Sequence, residues 1–174
     1  MTGSGSTSGA TAPEPSPSGP RLGKANFALR GLIGGTITIA MLALVGQGIQ
    51  QTLLIAPFGA SCVLLFAAPE SPFAQPRNLV GGHLLTASVG MAMLWIAGNG
   101  ILSTGLAVGL VIALMEQTGT VHPPAGANPI VIMLAGKTSL AFLLAPILLG
   151  VAILLLLALA INNVGPRRWP LRWR

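Results

Sequence analysis

His122 heads the run His122-Pro123-Pro124-Ala125-Gly126-Ala127-Asn128-Pro129, which lies between two strongly apolar stretches. An imidazole titrates near neutral pH and pairs readily with an anion. Proline removes a backbone donor and clashes with the preceding helical turn, so a helix cannot pass through this run intact. Where such a break lies in lipid, its backbone must be covered by protein or line a wet cavity. An ionisable ring at membrane depth is a functional candidate by default. The other role open to His122 is to cap carbonyls that the prolines free.

A second run has the same grammar. Pro57-Phe58-Gly59-Ala60-Ser61 precedes Pro124-Ala125-Gly126-Ala127-Asn128 by 67 positions, and Gln50 precedes Gln117 by the same offset. A half-helix that starts after each break would present free N–H groups and the positive end of its dipole, a combination that binds anions without a cationic side chain. The segments Gly59-Ala60-Ser61 and Gly126-Ala127-Asn128, with Pro123, Pro124 and His122, are therefore the candidate substrate-binding set. Ser61 and Asn128 occupy matching positions, as ligand contacts or as local N-caps. His83 faces either a pore or a neighbouring helix. Arg77, in a polar loop, and Glu116, at the end of an apolar run, are candidates for gating or for a mouth, where a guanidinium attracts anions. Glu116 pairs with His122 or Arg77, or is solvated at the interface.

Other chemistries lack their residues. His83, Glu116 and His122 form no ligand-spaced set, and there is no phosphate loop, nucleophile elbow or Cys–His pair. The expectation is no enzyme, no metal and no cofactor. The single cysteine, Cys62, excludes an internal disulfide and reads as a packing residue.

The elements that must position these residues are read from hydropathy. Of 174 residues, 52% are hydrophobic and 7% charged, against about 25% charged in soluble domains. The stretch 139–161 holds no charge, enough to cross a hydrocarbon core of about 30 Å. The partner implied is the lipid bilayer. The net charge of +6 argues for topology rather than for nucleic acid. Arg21, Lys24 and Arg30 precede the first apolar run, and Arg167, Arg168, Arg172 and Arg174 follow the last. Positive flanks mark cytoplasmic ends, so the expectation is a multi-pass protein of a bacterial inner membrane with both termini inside. Trp169 and Trp173 read as interfacial anchors in a basic tail, 167–174.

Residues 1–24 are rich in Gly, Ser, Thr and Pro and read as a disordered tail. The membrane domain, 25–166, divides into six elements: a helix near 27–47, an element near 52–68 interrupted at Pro57–Gly59, and helices near 79–97 and 101–117. An element near 121–136 interrupted at 123–126 follows, and then an unbroken helix at 139–162. The turn Gly98-Asn99-Gly100 admits only a tight hairpin. The fold class expected is an all-α membrane bundle of two three-element repeats, each with a broken or re-entrant middle element. If both middle elements span, the repeats are inverted, with Arg77 inside and Lys137 outside. Paired interrupted segments mark transporter binding sites. Small residues four apart, Gly31/Gly35, Gly105/Gly109 and Gly82/Thr86/Gly90, allow close helix contact, within a monomer or in a homo-oligomer.

These motifs together resemble the HPP family of integral membrane proteins, named for the triplet His122-Pro123-Pro124. Pro57–Ser61, Ala67–Pro72, Ala74–Asn78, Gly81-Gly82-His83 and Asn162-Asn163 follow the family's order, and the resemblance covers residues 27–173. Asn128 departs from the smaller or hydroxylated residue expected there. The resemblance implies four spanning helices and an association with nitrite transport. The expectation is a transporter or channel for a small inorganic anion, nitrite first. The alternative is a membrane scaffold or sensor whose prolines only shape the bundle.

Overall fold

The computed structural model describes residues 24–136, 139–165 and 168–173. The tail at 1–23, with Arg21, and the charges Lys137, Arg167 and Arg174 lie outside the described residues. The elements are helices α1 (Lys24–Gly48), α2 (Ala56–Ala67), α3 (Pro76–Ala97) and α4 (Ile101–Thr118), then a 3-10 turn at Pro123–Ala127 leading into α5 (Asn128–Ala135). The last element joins α6 (Leu140–Phe142), a kinked stretch at Leu143–Leu148 and α7 (Leu149–Asn162). Four stretches, Phe27–Gly48, Pro76–Ala97, Ile101–Thr118 and Leu140–Asn162, are long and apolar enough to cross a membrane. The molecule is an all-α membrane bundle.

Both breaks fall earlier than the sequence placed them. α2 is continuous from Ala56, with Pro57 in its first turn. There the missing N–H would have been unpaired in any case, and the fixed φ suits a helix start. The prolines therefore begin helices rather than interrupt them, and the non-helical segments lie ahead, at 51–55 and 120–122. Each segment is entered through a left-handed residue, Gln50 (φ 54°) or Gly119 (φ 63°).

The last element departs in the opposite sense. Expected unbroken, it leaves helical geometry at Ala145 (φ −139°, ψ 116°). Pro146 follows, and the residue before a proline is pushed toward the extended region.

Contacts fix the path of the chain. Gly46 packs against Gln51 and Leu53, and Gly34 against Phe66, so the segment from 51 to 67 runs back along α1. Arg77 Nη2 donates to the Thr118 carbonyl (2.6 Å), placing the end of α4 beside the start of α3. Gly82 packs against His122 and Gly90 against Pro129, so the segment from 120 to 135 runs the same way as α3. Arg30 Nη2 reaches the Val164 carbonyl (2.8 Å) and Asn162 Nδ2 the Leu65 carbonyl (3.0 Å), returning α7 to the end where α1 begins. The chain thus traverses the bundle six times, four of them on stretches of spanning length. α2, at 12 residues, covers about 18 Å, and its non-helical lead-in supplies further height. Arg77 lies at the same end as Arg30 and the end of α7.

The two units have corresponding neighbours. α1 packs on α2 as α4 packs on α5; α1 meets α7 as α4 meets α3; and α2 meets α7 as α5 meets α3. Apolar packing fills both halves. Leu42, Leu53, Phe58, Leu65, Phe66 and Leu154 form one core cluster, and Ala87, Ile132 and Ile147 form a second. Cys62 is buried in the first. Of the small-residue stripes, only Gly82/Thr86/Gly90 is used among the described residues, where it lets α3 approach the backbone at Thr120 and Pro129. At Gly31, Gly35, Gly105 and Gly109, a Cβ would meet no described atom within 4 Å.

Trp169 corrects the reading of the basic tail. It is 3% exposed and joins the core cluster, whereas Trp173 is exposed. Asn163 holds the Trp169 backbone at both ends: Trp169 N donates to Oδ1 (2.9 Å) and Nδ2 donates to the Trp169 carbonyl (2.6 Å). That clamp turns the indole inward, away from a headgroup position.

Candidate functional site

Four of the candidate residues meet in one buried cluster. Ser61, on the second turn of α2, points inward because Pro57 fixes the helix start four residues earlier. Its Oγ lies 2.9 Å from His83 Nε2 and 2.9 Å from His122 Nε2, and 3.0 Å from the Pro57 carbonyl. His83 comes from α3 and His122 from the extended residue ahead of the 3-10 turn. Asn128, the first residue of α5, reaches the far side of His83. Its Nδ2 lies 3.0 Å from His83 Nδ1, 3.2 Å from the His83 carbonyl and 2.9 Å from Thr86 Oγ1. Ser61, His83, Thr86 and His122 are fully buried, and Asn128 is 1% exposed.

The partners determine the protons. His122 Nδ1 lies 2.8 Å from the Phe73 carbonyl, which can only accept, so Nδ1 carries the hydrogen and Nε2 is the acceptor in the neutral ring. Thr86 Oγ1 donates to the Gly82 carbonyl (2.8 Å) and so accepts from Asn128. The Asn128 amide is oriented by the His83 carbonyl, since the opposite orientation would set two acceptors together. With one Nδ2 hydrogen on Thr86 Oγ1, the other is shared between the His83 carbonyl and His83 Nδ1, so Nδ1 is an acceptor and His83 carries its hydrogen on Nε2. A directed chain results: Asn128 to His83, His83 to Ser61, Ser61 to His122, His122 to the Phe73 carbonyl. The Phe58 ring packs edge-on to His83 (5.2 Å), and the two imidazole centroids are 5.0 Å apart.

The remaining candidates are placed elsewhere. Gly59 and Ala60 are exposed on the outer face of α2, and Pro123 is exposed opposite them. Ala60, Pro123, Pro124 and Ala127 line an apolar groove of about 560 Å³ together with Ala56, Pro57, Val63 and Leu64. Gly126 is half-buried beside it. The half-helix ends offer few donors: Pro57, Pro123, Pro124 and Pro129 occupy first-turn positions and have no N–H, and the Phe58 and Ala125 amides are already bonded to Ile55 and His122 carbonyls. Ser61 and Asn128 do not cap their helices. Their side chains point to the imidazoles instead. His122 likewise bonds a carbonyl of the loop before α3, not one freed by its own prolines.

Arg77 and Glu116 are both exposed at the end of the bundle where α1 begins. Arg77 lines a cavity of about 490 Å³ with Glu70, Gln75, Asn78, Gly119 and Arg172. Asn78 Nδ2 donates to the Val121 carbonyl (2.7 Å), fixing the floor of this vestibule one residue from His122. Glu116 is not among its lining residues. Gln75 Oε1 accepts from the Leu171 and Arg172 amides (2.9 and 3.3 Å), which draws Arg172 to the vestibule. Sequence reasoning missed Gln75, Arg172, Thr86 and the Phe73 carbonyl. Thr86 left a trace as a small residue in the α3 stripe, Gln75 as part of the Ala74–Asn78 motif and Arg172 as a positive flank, none of them with a site role. Among the described residues, no three His, Cys, Asp or Glu side chains gather to hold a metal.

Comparison with known proteins agrees with this architecture. The family described as "HPP, transmembrane region" matches residues 20–170. A transmembrane protein of Dictyostelium discoideum is 41% identical over 132 aligned residues, 71% of this chain and 46% of its own length. A second transmembrane protein of that organism is 36% identical over 132 residues, 71% of this chain and 42% of its own length. The chain thus spans less than half the length of these relatives. No solved structure matches. With a family match over most of its length, this integral membrane protein belongs to the HPP transmembrane family.

Proposed function

We propose that the protein carries a small monovalent anion across the membrane, with nitrite the first candidate because that is what the family resemblance implies. The observation that carries this reading is the cluster itself. Two imidazoles, a hydroxyl and a carboxamide from α2, α3 and the segment from 122 to 128 are buried together in an apolar bundle. Polar and ionisable groups at membrane depth are costly and mark substrate paths. Anion recognition in this account comes mainly from the positive charge of a protonated His122, rather than from the proline-stripped helix ends.

The vestibule supplies the approach. Arg77 and Arg172 against the single carboxylate of Glu70 leave its wall net positive, raising the local anion concentration. In the present conformation the cluster is closed, since each member is at most 1% exposed. Passage requires the two three-element units to move against one another, opening the cluster to each face in turn. The orientation we assign puts both termini, and hence the vestibule, in the cytoplasm.

The test is nitrite uptake into proteoliposomes, with nitrate, formate and chloride as competitors. The expected result is saturable uptake, abolished in a folded His122→Ala variant. No saturable uptake of any of the four anions would assign the cluster to scaffold packing instead.

A further inference from the structure

We propose that the site takes up one proton together with its anion, that the proton resides on His122 Nε2, and that the Ser61 hydroxyl hydrogen is the switch that accommodates it. This rests on the anion-carrier reading for the identity of the second ion, while the choice of His122 rests on geometry alone.

Ser61 has one hydrogen and two acceptors in range. The Pro57 carbonyl lies at 3.0 Å and His122 Nε2 at 2.9 Å. In the neutral cluster the hydroxyl donates to His122 Nε2 and accepts from His83 Nε2–H. A proton arriving on His122 Nε2 turns that nitrogen into a donor. The Ser61 hydrogen then rotates onto the Pro57 carbonyl, and Oγ accepts from both imidazoles. Every donor in the triad keeps a partner in both states, and no heavy atom need move. A hydroxyl has one donor and two acceptor sites, which is what each state uses.

His83 has no such second state. A proton on its Nδ1 would face the Asn128 Nδ2 group at 3.0 Å, donor against donor. Rotating the Asn128 amide would relieve that clash but would set Oδ1 against the His83 carbonyl, now 3.2 Å from Nδ2. Thr86 would also have to release the Gly82 carbonyl to donate to the turned oxygen. Asn128 thus holds His83 neutral and leaves one protonatable member.

The groups facing His122 from the packed elements are few. α3 contributes His83 and α2 contributes Ser61; the loop before α3 contributes the Phe73 carbonyl. Cys62, on α2, sits in the apolar cluster, and the charged Glu70, Arg77 and Arg172 lie at the vestibule. Charge for an imidazolium must then come from the cargo. One proton and one monovalent anion enter and leave together, the proton taken from water on one side and returned on the other, so the cycle moves no net charge.

The test is 15N NMR of histidine side chains in the full chain in lipid bilayers, titrated from neutral to acid pH. The sequence has two histidines, and their neutral tautomers differ: Nε2–H for His83, Nδ1–H for His122. The signals are therefore assigned without any variant, and His122→Gln serves as a check where it folds. The expected result is that only the Nδ1–H ring becomes doubly protonated. Saturating nitrite should strengthen its proton affinity by about tenfold or more, within the usual range for coupled sites. Protonation of the Nε2–H ring, of both rings or of neither overturns the inference. Nitrite flux in the same vesicles without any effect on His122 protonation overturns the coupling and leaves the carrier reading standing. Neither flux nor effect overturns both.

Discussion

Ser61→Ala is the most informative single change. The substitution keeps the helix and removes one oxygen that joins both imidazoles at 2.9 Å. It orphans the His83 Nε2 donor and the His122 Nε2 acceptor, both on fully buried rings. The Pro57 carbonyl, 3.0 Å away, is not the hydroxyl's acceptor in the neutral cluster, so nothing further is lost there. A buried polar group left without a partner costs about 1–3 kcal/mol, which sets about 6 kcal/mol as the ceiling for two. Side-chain hydrogen bonds between helices in lipid measure nearer 0.6 kcal/mol each, which sets about 1 kcal/mol as the floor. The expected loss is about 1–4 kcal/mol, read as a shift in the denaturation midpoint by detergent titration in mixed micelles. A double-mutant cycle with His122→Gln should give substantial coupling, because both changes break the same bond. A folded Ser61→Ala protein within about 0.5 kcal/mol of the wild type, with no coupling to His122, would refute the bridged network.

Gly90→Ala should destabilise by about 1–3 kcal/mol, because the new Cβ would lie 2.9 Å from Pro129 Cα, a backbone atom. Gly105→Ala, with nothing within 4 Å, should be neutral or stabilising by up to about 1 kcal/mol; thermal unfolding of the pair tests the packing. Gln75→Ala removes the acceptor for the Leu171 and Arg172 amides. Trypsin should then cleave the tail at Arg168 and Arg172 several-fold faster, measured by mass spectrometry, and equal rates would show that the tail is held otherwise. Arg77→Ala should raise KM for nitrite with little change in kcat, and the difference should shrink at high salt as screening takes over.

Much of the architecture is legible in the chain because lipid leaves few options. The four spanning stretches follow from hydropathy, and the hairpin at Gly98-Asn99-Gly100 from its residues. The position of the breaks is not legible in the same way. Proline within an apolar run signals either an interruption or a start, and only packing against α1 decides for the start at Pro57. Pro146 shows the converse, since its apolar neighbours hide a departure from helical geometry at Ala145. Ser61 and Asn128 stand out by their matched spacing, yet their partners lie 22 and 45 residues away in α3. Trp169 reads as a surface anchor from composition and is turned inward by Asn163, a contact no local pattern announces. The Phe73 carbonyl is invisible to any reading of side chains, and it is what fixes the His122 tautomer.

The central claim is tested most directly by nitrite counterflow in proteoliposomes, wild type beside His122→Ala in matched, folded preparations. The account predicts transient accumulation of labelled nitrite against its gradient by the wild type and none by the variant. Equal counterflow by both proteins would contradict it by removing His122 from the path.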